Sequence, residues 1–389
     1  MVGFDLTEEQ KKIQQKARKF AIEEIIPISR KYDISGEFPW ELFQKAFDQG
    51  LLNTLIPKKY GGPGGSLLES CILVEEIAAA DPGIATSLFA NNLGSEPIII
   101  GGTDEQKKRF LTPLTQKLSF IAFATSEPAM GSDVAGIQTE AKKVEGGYSL
   151  AGRKFWITNG GVSDNIVIFA TLDKKLKHKG IIPFVVPTKS EGVTIGKPID
   201  KMGHRASNTV LVSLKDVFVP EENRLGEEGQ GFTIAMKTFA GTRPAIGAFA
   251  TGAARACMEY SIHYAKKRKA FGTEIANFQA IQFKIAEMYK NIEAARLLTH
   301  KAAWEADQGK DNTIAASIAK AFASDIAMQA ATEAIQIFAG YGYTKAHLIE
   351  KLFRDVKLYQ IYEGTSEVQR IVISRHALKD YKPVFDRIY

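Results

Sequence analysis

Cysteine is nearly missing from this sequence of 389 residues: there are two, Cys71 and Cys257. They stand too far apart for a Cys-x-x-Cys metal or redox pair, and two cysteines make no disulfide framework. A reducing compartment is the natural reading. Long apolar runs are missing too, none reaching the roughly 18 residues needed to span a bilayer. The opening Met1-Val2-Gly3-Phe4-Asp5 has neither the basic nor the apolar region of a secretory signal. The expectation is a soluble protein of the cell interior, or a mature one. The six histidines never fall at the i, i+4 spacing of a helical zinc pair, and there is no His-Glu-x-x-His, which argues against metal catalysis. No Gly-x-Ser-x-Gly occurs, so an α/β-hydrolase triad has no support. The Gly61-Gly62-Pro63-Gly64-Gly65 loop has neither the GxGxxG register after a strand nor a Gly-Lys-Ser/Thr ending, so it reads as a connection between helices. The 33 glycines show no three-residue period, which excludes collagen. Neither charge sign dominates: 50 Lys and Arg against 44 Asp and Glu leave +6, which suits phosphate-rich small molecules or plain solubility. The short run from Lys174 to Lys179 has no interleaved aromatics and reads as a solvated loop, not a nucleic-acid surface.

What is present describes a folded chain. Apolar residues make up 45% and charged residues 24%, near the globular averages of about 45–50% and about 25%, and the length suits two or three domains or one large enzyme. The first 120 or so residues read as helical. Thr7 and Gln10 have capping-box spacing, Ile13, Ala17, Phe20 and Ala21 share a face, and Pro27 is expected to limit that helix. Between about 120 and 228 the period changes to two. Val210, Val212 and Leu214 alternate with polar neighbours, Asn165–Leu172 and Ile181–Val186 are short β-branched runs, and Gly146-Gly147 looks like a hairpin turn. No helix-length pattern separates these strands, which predicts an antiparallel sheet. From about 230 long helices return. Ile281, Ile285, Met288, Ile292, Ala295 and Ala302 form a near-heptad stripe, Gly309, Asp311 and Asn312 break it, and an alanine-rich helix is expected from about Thr313 to Phe338, stopping near Gly340. The fold class is α+β: an N-terminal helical domain over 1–119, an antiparallel β domain over 120–229, and a four-helix-bundle-type domain over 230–389.

Four segments combine loop-like composition with bulky residues: Ser126-Glu127-Pro128-Ala129-Met130-Gly131-Ser132-Asp133, Lys154-Phe155-Trp156-Ile157-Thr158-Asn159-Gly160, Arg268-Lys269-Ala270-Phe271-Gly272 and Tyr362-Glu363-Gly364-Thr365-Ser366. Singly, each reads as an ordinary turn, with Trp156 a core anchor and Glu363-Gly364-Thr365 a helix end. Together and in this order, with Gln336-Ile337-Phe338-Ala339-Gly340-Tyr341-Gly342, they closely resemble the acyl-CoA dehydrogenase family from about Leu6 to about Arg370. The likeness is strongest to the straight-chain short- and medium-chain enzymes.

The resemblance implies FAD between the β domain and the C-terminal bundle. Phe123, Thr125, Ser126, Gly131 and Ser132 would line the flavin, Trp156 would cover one face, and Ile157 and Thr158 would approach its N5 region. Arg268, Ala270, Phe271, Phe278, Gln279, Gln336 and Gly340 resemble residues that hold the FAD pyrophosphate and adenine, partly across a subunit interface. Thr365, Ser366 and Glu367 match a stretch at the adenosine end. Glu363 stands at the family's base position and would remove the α-proton of an acyl-CoA thioester while the β-hydride moves to flavin N5. Ser132, Ala240, Arg243 and Gly364 match substrate contacts, Arg243 as a fixed cation for the CoA end, and Phe89 stands where the acyl pocket has its floor. Several positions depart from the pattern. Thr242 occupies the place where some branches carry the base, and threonine cannot do that work. Ala240 replaces a common acidic residue, Ser126 a threonine and Ala129 a glycine, and Phe89 is bulkier than its medium-chain counterpart.

The function implied is dehydrogenation of a short- or medium-chain acyl-CoA to trans-2-enoyl-CoA. The alternatives are a relative acting on a cyclic or otherwise unusual acyl-CoA, or a non-catalytic flavin or acyl-CoA scaffold. The chain is short for an oxidase of this kind, and a nitroalkane enzyme would need Asp at 363. Implied partners are an electron-transferring flavoprotein and further copies of the chain, as a homotetramer, with no nucleic acid and no membrane insertion. The compartment would be the cytoplasm in a prokaryote, or the mitochondrial matrix for a mature eukaryotic form.

Overall fold

A computed structural model describes residues 3–382. Met1 and Val2, and the stretch 383–389 of the expected third domain, lie outside the described residues. Helix α1 (Glu8–Phe20) starts on the expected capping box, with the Thr7 N–H donating to Gln10 Oε1 at 3.0 Å and the Gln10 N–H to Thr7 Oγ1 at 3.2 Å. Pro27 does not end it. One wide π turn over Ala21–Ile25 leads directly into α2 (Ile26–Ser35). A proline inside a helix collides with the carbonyl four residues back; the loosened turn makes room for the ring while the chain continues. Then follow α3 (Trp40–Asp48), α4 (Leu67–Ala80), α5 (Pro82–Gly101) and α6 (Asp104–Gln116). Helices α4 and α5 are apolar on nearly every side and run through the middle of the molecule, as all-round hydrophobic helices must.

The β domain contains β1 (Ile121–Ala124), β2 (Glu140–Val144), β3 (Gly147–Thr158), β4 (Asn165–Thr171), β5 (Ile181–Pro187), β6 (Val193–Ile195) and β7 (Thr209–Pro220). Gly146, at φ +76°, turns the β2–β3 hairpin. The β2–β3, β3–β7, β4–β5 and β6–β7 pairs are antiparallel. The all-antiparallel expectation needs correction, because β1 runs parallel to β4, pairing Ile121 with Asn165 through Ala124 with Ile168, and Glu140 meets Thr171 in parallel. A parallel neighbour needs a crossover of a dozen or more residues. The loop and hairpin between β1 and β4 supply that length without an α-helix.

The third layer is α7 (Gly231–Ala265), the small β8–β9 hairpin (Lys269–Ala270 and Thr273–Glu274), α8 (Gln279–Asp307), α9 (Thr313–Phe338), α10 (Ile349–Val356) and α11 (Ser366–Lys379). Helix α9 has the expected bounds, yet Ala339 and not Gly340 takes the positive-φ conformation that stops it, at φ +50°. Helix α7 packs closely on α4: a Cβ on Gly252 would sit 2.1 Å from the Glu75 carbonyl oxygen. On its other side α7 runs antiparallel to α5, with Phe89 against Phe249 at one level and Gly241 beside Glu96 at another.

Candidate active site

The loop Ile361–Thr365 joins a short 3₁₀ turn to α11, and Thr365 caps that helix through the Val368 N–H at 3.2 Å. The segment is therefore a helix start, where the single-segment reading made it a helix end. Two successive left-handed residues shape it, Glu363 at φ +55° and Gly364 at φ +88°. Such a conformation costs a non-glycine residue about 1–2 kcal/mol, and it persists where neighbours over-determine it. They do so here. Arg243 Nε donates to the Glu363 carbonyl at 3.1 Å, and Lys320 Nζ and Gln369 Nε2 donate to the Gly364 carbonyl at 2.7 and 2.9 Å. Thr242 Oγ1, one turn of α7 beyond Thr238, donates to Glu363 Oε2 at 3.2 Å. Burial pushes the Glu363 carboxyl above its ordinary value, and the Arg243 charge, the Thr242 hydrogen bond and the Lys320 charge pull it back part of the way. Arg243 is itself only 7% exposed and lies over the Phe239 ring. The structure thus places its guanidinium on the loop of Glu363.

A row of rings leads away from Glu363 into the helices. Tyr362 packs near Tyr359, Tyr359 stacks on Phe249 at 6.2 Å, and Phe249 meets Phe89 edge-on at 5.7 Å. Phe89 is 3% exposed. The Tyr362 hydroxyl is 3.4 Å from Thr86 Oγ1 on α5, and Thr86 Oγ1 lies 3.1 Å from Nδ1 of His204, a buried histidine brought down to about 4 by burial.

The β-domain segments dock on the same helices. Asn159 Nδ2 donates to the Ser87 carbonyl of α5 at 2.8 Å, which docks the end of β3, and with it Trp156, Ile157 and Thr158, beside Thr86. Trp156 is no core anchor: it is 55% exposed and held at φ +65°. Its neighbour Phe155 donates its N–H to the Ser126 carbonyl at 2.9 Å, joining the two segments. Lys154, fully buried, bonds the Thr125 carbonyl at 3.0 Å and Glu127 Oε1 at 2.8 Å, and Glu127 also takes the Gln138 and Thr139 N–H groups. Burial brings the Lys154 amine down to about 8, with Glu127 opposing that fall. Phe123 packs on Phe239 at 5.6 Å, next to Arg243. Gly131 and Ser132 lie exposed at the rim, and a Cβ on Gly131 would meet nothing within 4 Å. Ala240 is partly buried on α7.

Two groups of expected residues lie elsewhere. Thr365 and Glu367, with Ser366, Gln360, Asp325 and Arg370, line a cavity of ≈ 360 Å³ at the start of α11. Arg268, Gln279, Gln336 and Gly340 are exposed, Ala270 and Phe278 partly so, and Phe271 stands 96% exposed at φ +52° on the β8–β9 turn. Among the described residues, no hydrogen bond or ring contact links this second group to Glu363. The sequence reading missed Lys154, His204 and Lys320, whose partners lie far off in the chain, and Gln369, which reaches back five and six residues to the Gly364 and Glu363 carbonyls. For Lys320 the one available signal was a charge between two alanines.

The acyl-CoA dehydrogenase N-terminal, middle and C-terminal domain families match residues 7–117, 122–217 and 229–378. A probable medium-chain specific mitochondrial acyl-CoA dehydrogenase of Caenorhabditis briggsae is 42% identical over 380 residues, covering 97% of this chain and 92% of its own. The butyryl-CoA dehydrogenase structure from Megasphaera elsdenii superposes with a TM-score of 0.95 at 41% identity, covering 97% of this chain and all of that one. An FAD complex of PigA, at 27% identity, has a TM-score of 0.93 over 98% of this chain and all of that one. The chain belongs to the acyl-CoA dehydrogenase family, whose members are oxidoreductases. Among the described residues, no helix is long and apolar enough to cross a membrane.

Proposed function

We propose that this protein dehydrogenates a short- or medium-chain acyl-CoA to the trans-2-enoyl-CoA, with Glu363 as the base. FAD is the cofactor. The chain's own residues fit it: an indole held out of the core at Trp156, the open Gly131–Ser132 rim, and the polar cavity at the start of α11. Trp156 and Thr158 would flank the flavin ring, Thr125 and Ser126 its polar edge, and Thr365 with Glu367 the adenosine end. Bound there, FAD would supply the acceptor for the hydride that leaves the substrate β-carbon.

The observation that carries the reading is the setting of Glu363. Its Oε2 is held by Thr242, and Oε1 has no hydrogen-bond partner among the described residues, which leaves one oxygen to take the α-proton. An ordinary carboxylate, near 4.5, is a weak base toward carbon. Burial raises its proton affinity, so the transfer becomes less uphill. The left-handed turn is rigid, and rigidity keeps the oxygen in line with the α-carbon. Phe89, two turns of α5 from Glu96 and closed off by Phe249, would end the acyl slot early, which favours short chains. Electrons would leave to an electron-transferring flavoprotein. The exposed Arg268–Phe271 hairpin would reach a neighbouring subunit's cofactor in a homotetramer.

Glu363→Gln tests the assignment. It is nearly isosteric, so fold and FAD content should persist, while flavin bleaching by substrate should slow by several powers of ten. Bleaching at close to the wild-type rate would show that another group is the base.

A further inference from the structure

Lys320 sits in the first third of α9 with no solvent exposure at all. Among the described residues it has no carboxylate within ion-pair distance, and its hydrogen bond is the one at 2.7 Å to the Gly364 carbonyl. A lysine enclosed without an acidic partner is rare and unfavourable. Its neighbours on α9 are small or apolar: Ala316, Ser317, Ala319, Ala321, Ala323 and Ser324 are all buried. Nothing in the packing of the bundle calls for an ammonium here. The carbonyl that it meets belongs to the residue after Glu363, in a turn that needs holding.

We propose that Lys320 is a positioning residue for Glu363: its enclosed ammonium grips the Gly364 carbonyl and so holds the left-handed turn that aims the carboxylate. The inference rests on the reading of Glu363 as the base. Donors from three helices meet on two successive carbonyls: Arg243 of α7 on Glu363, Lys320 of α9 on Gly364, and Gln369 of α11 on both, at 3.3 and 2.9 Å. Two of the three are cations. They orient the peptide, and they also favour the ionised form of the carboxyl between them. The charged groups facing Lys320 are Glu363, Asp325 and Glu367, which support its charge, and Arg243, which opposes it. Burial outweighs them and brings the amine down to about 8.

The test is Lys320→Met in the FAD-loaded enzyme, a change that keeps a linear stem and removes both charge and donor. With butyryl-CoA as substrate, the limiting rate of flavin reduction should fall roughly tenfold to a hundredfold, the scale of a misplaced reacting group, with a smaller change in KM. Independently of turnover, the infrared band of the protonated Glu363 carboxyl, identified by its loss in Glu363→Gln, should titrate at a higher pH than in the unaltered protein, because a neighbouring positive charge is gone. A lysine serving only the stability of α9 would lower the denaturation midpoint and move neither quantity. Lys320→Gln, neutral and shorter, carries the same two expectations and stands in if the methionine variant does not fold. A folded, flavin-loaded variant with the wild-type reduction rate and the wild-type Glu363 titration overturns the assignment. If Glu363→Gln alone reduces its flavin normally, the base reading has failed, and that result is obtained without touching Lys320.

Discussion

Replacing Phe89 by alanine should lengthen the acyl chain that the enzyme prefers. The ring is 3% exposed and closes on Phe249, which stacks on Tyr359 along the row that begins beside Glu363. In a slot with that end wall, each substrate methylene buried before the wall contributes about 0.8 kcal/mol, or roughly a fourfold gain in kcat/KM per carbon. Beyond the wall the gain turns into steric overlap. Alanine removes the wall, so the fourfold steps should continue for several more carbons, while the shortest substrates, which never reach the ring, change little. The same substitution opens a cavity opposite Phe249 and should cost about 3–5 kcal/mol of stability, so a lower unfolding midpoint is expected whether or not the ring lines the slot. The deciding assay is kcat/KM over acyl-CoA thioesters of four to twelve carbons for both proteins. If the two profiles have the same shape, Phe89 packs only in the helical core and the slot ends on other residues.

Two further outcomes follow from charged groups. Arg268→Ala should weaken FAD retention and assembly together, because the exposed Arg268–Phe271 turn has a guanidinium suited to a pyrophosphate and no packing role of its own; size-exclusion chromatography with flavin absorbance that shows an intact, fully loaded assembly would remove that role. Burial alone raises Glu96, which lies beside Gly241, from 4.5 to about 7. The folded protein therefore keeps this proton after the unfolded chain has lost its own, and stability contributed by the protonated form is lost as pH rises from about 4.5 to about 7. Glu96→Gln should be nearly neutral at pH 4 and stabilising by up to about 3 kcal/mol at pH 8, and equal effects at both pH values in denaturant titrations would refute the buried setting.

Features made by near neighbours in the chain are legible in the sequence alone. The Thr7–Gln10 box, the Gly146 turn and the bounds of α9 each depend on bonds or periodicity within a few residues, and such patterns are written directly in local composition. Residues in family motifs, Glu363 and Trp156 among them, are legible in another way, through resemblance and not through any local force. Legibility fails where two local rules compete. At Pro27 the sequence reads as a stop, while the buried face of Ala17, Phe20, Ala21 and Ile25 keeps the helix going through a wider turn. At Trp156 bulk suggests a core anchor, while the strand end leaves the indole exposed.

By itself, then, the sequence determined the three-part helix–sheet–helix order and the bounds of α9, while Glu363 came from resemblance to a family. Tertiary structure alone decided what surrounds that carboxylate. The Thr242 contact spans 121 residues, the Lys320 contact on Gly364 spans 44, and the Lys154–Glu127 pair spans 27. The parallel β1–β4 pairing likewise joins strands separated by a loop and a hairpin. Contacts of this kind leave no local period, because they form only when packed helices and strands bring distant side chains into one dry space. There a lysine is enclosed against a backbone carbonyl, and burial raises a glutamate's proton affinity.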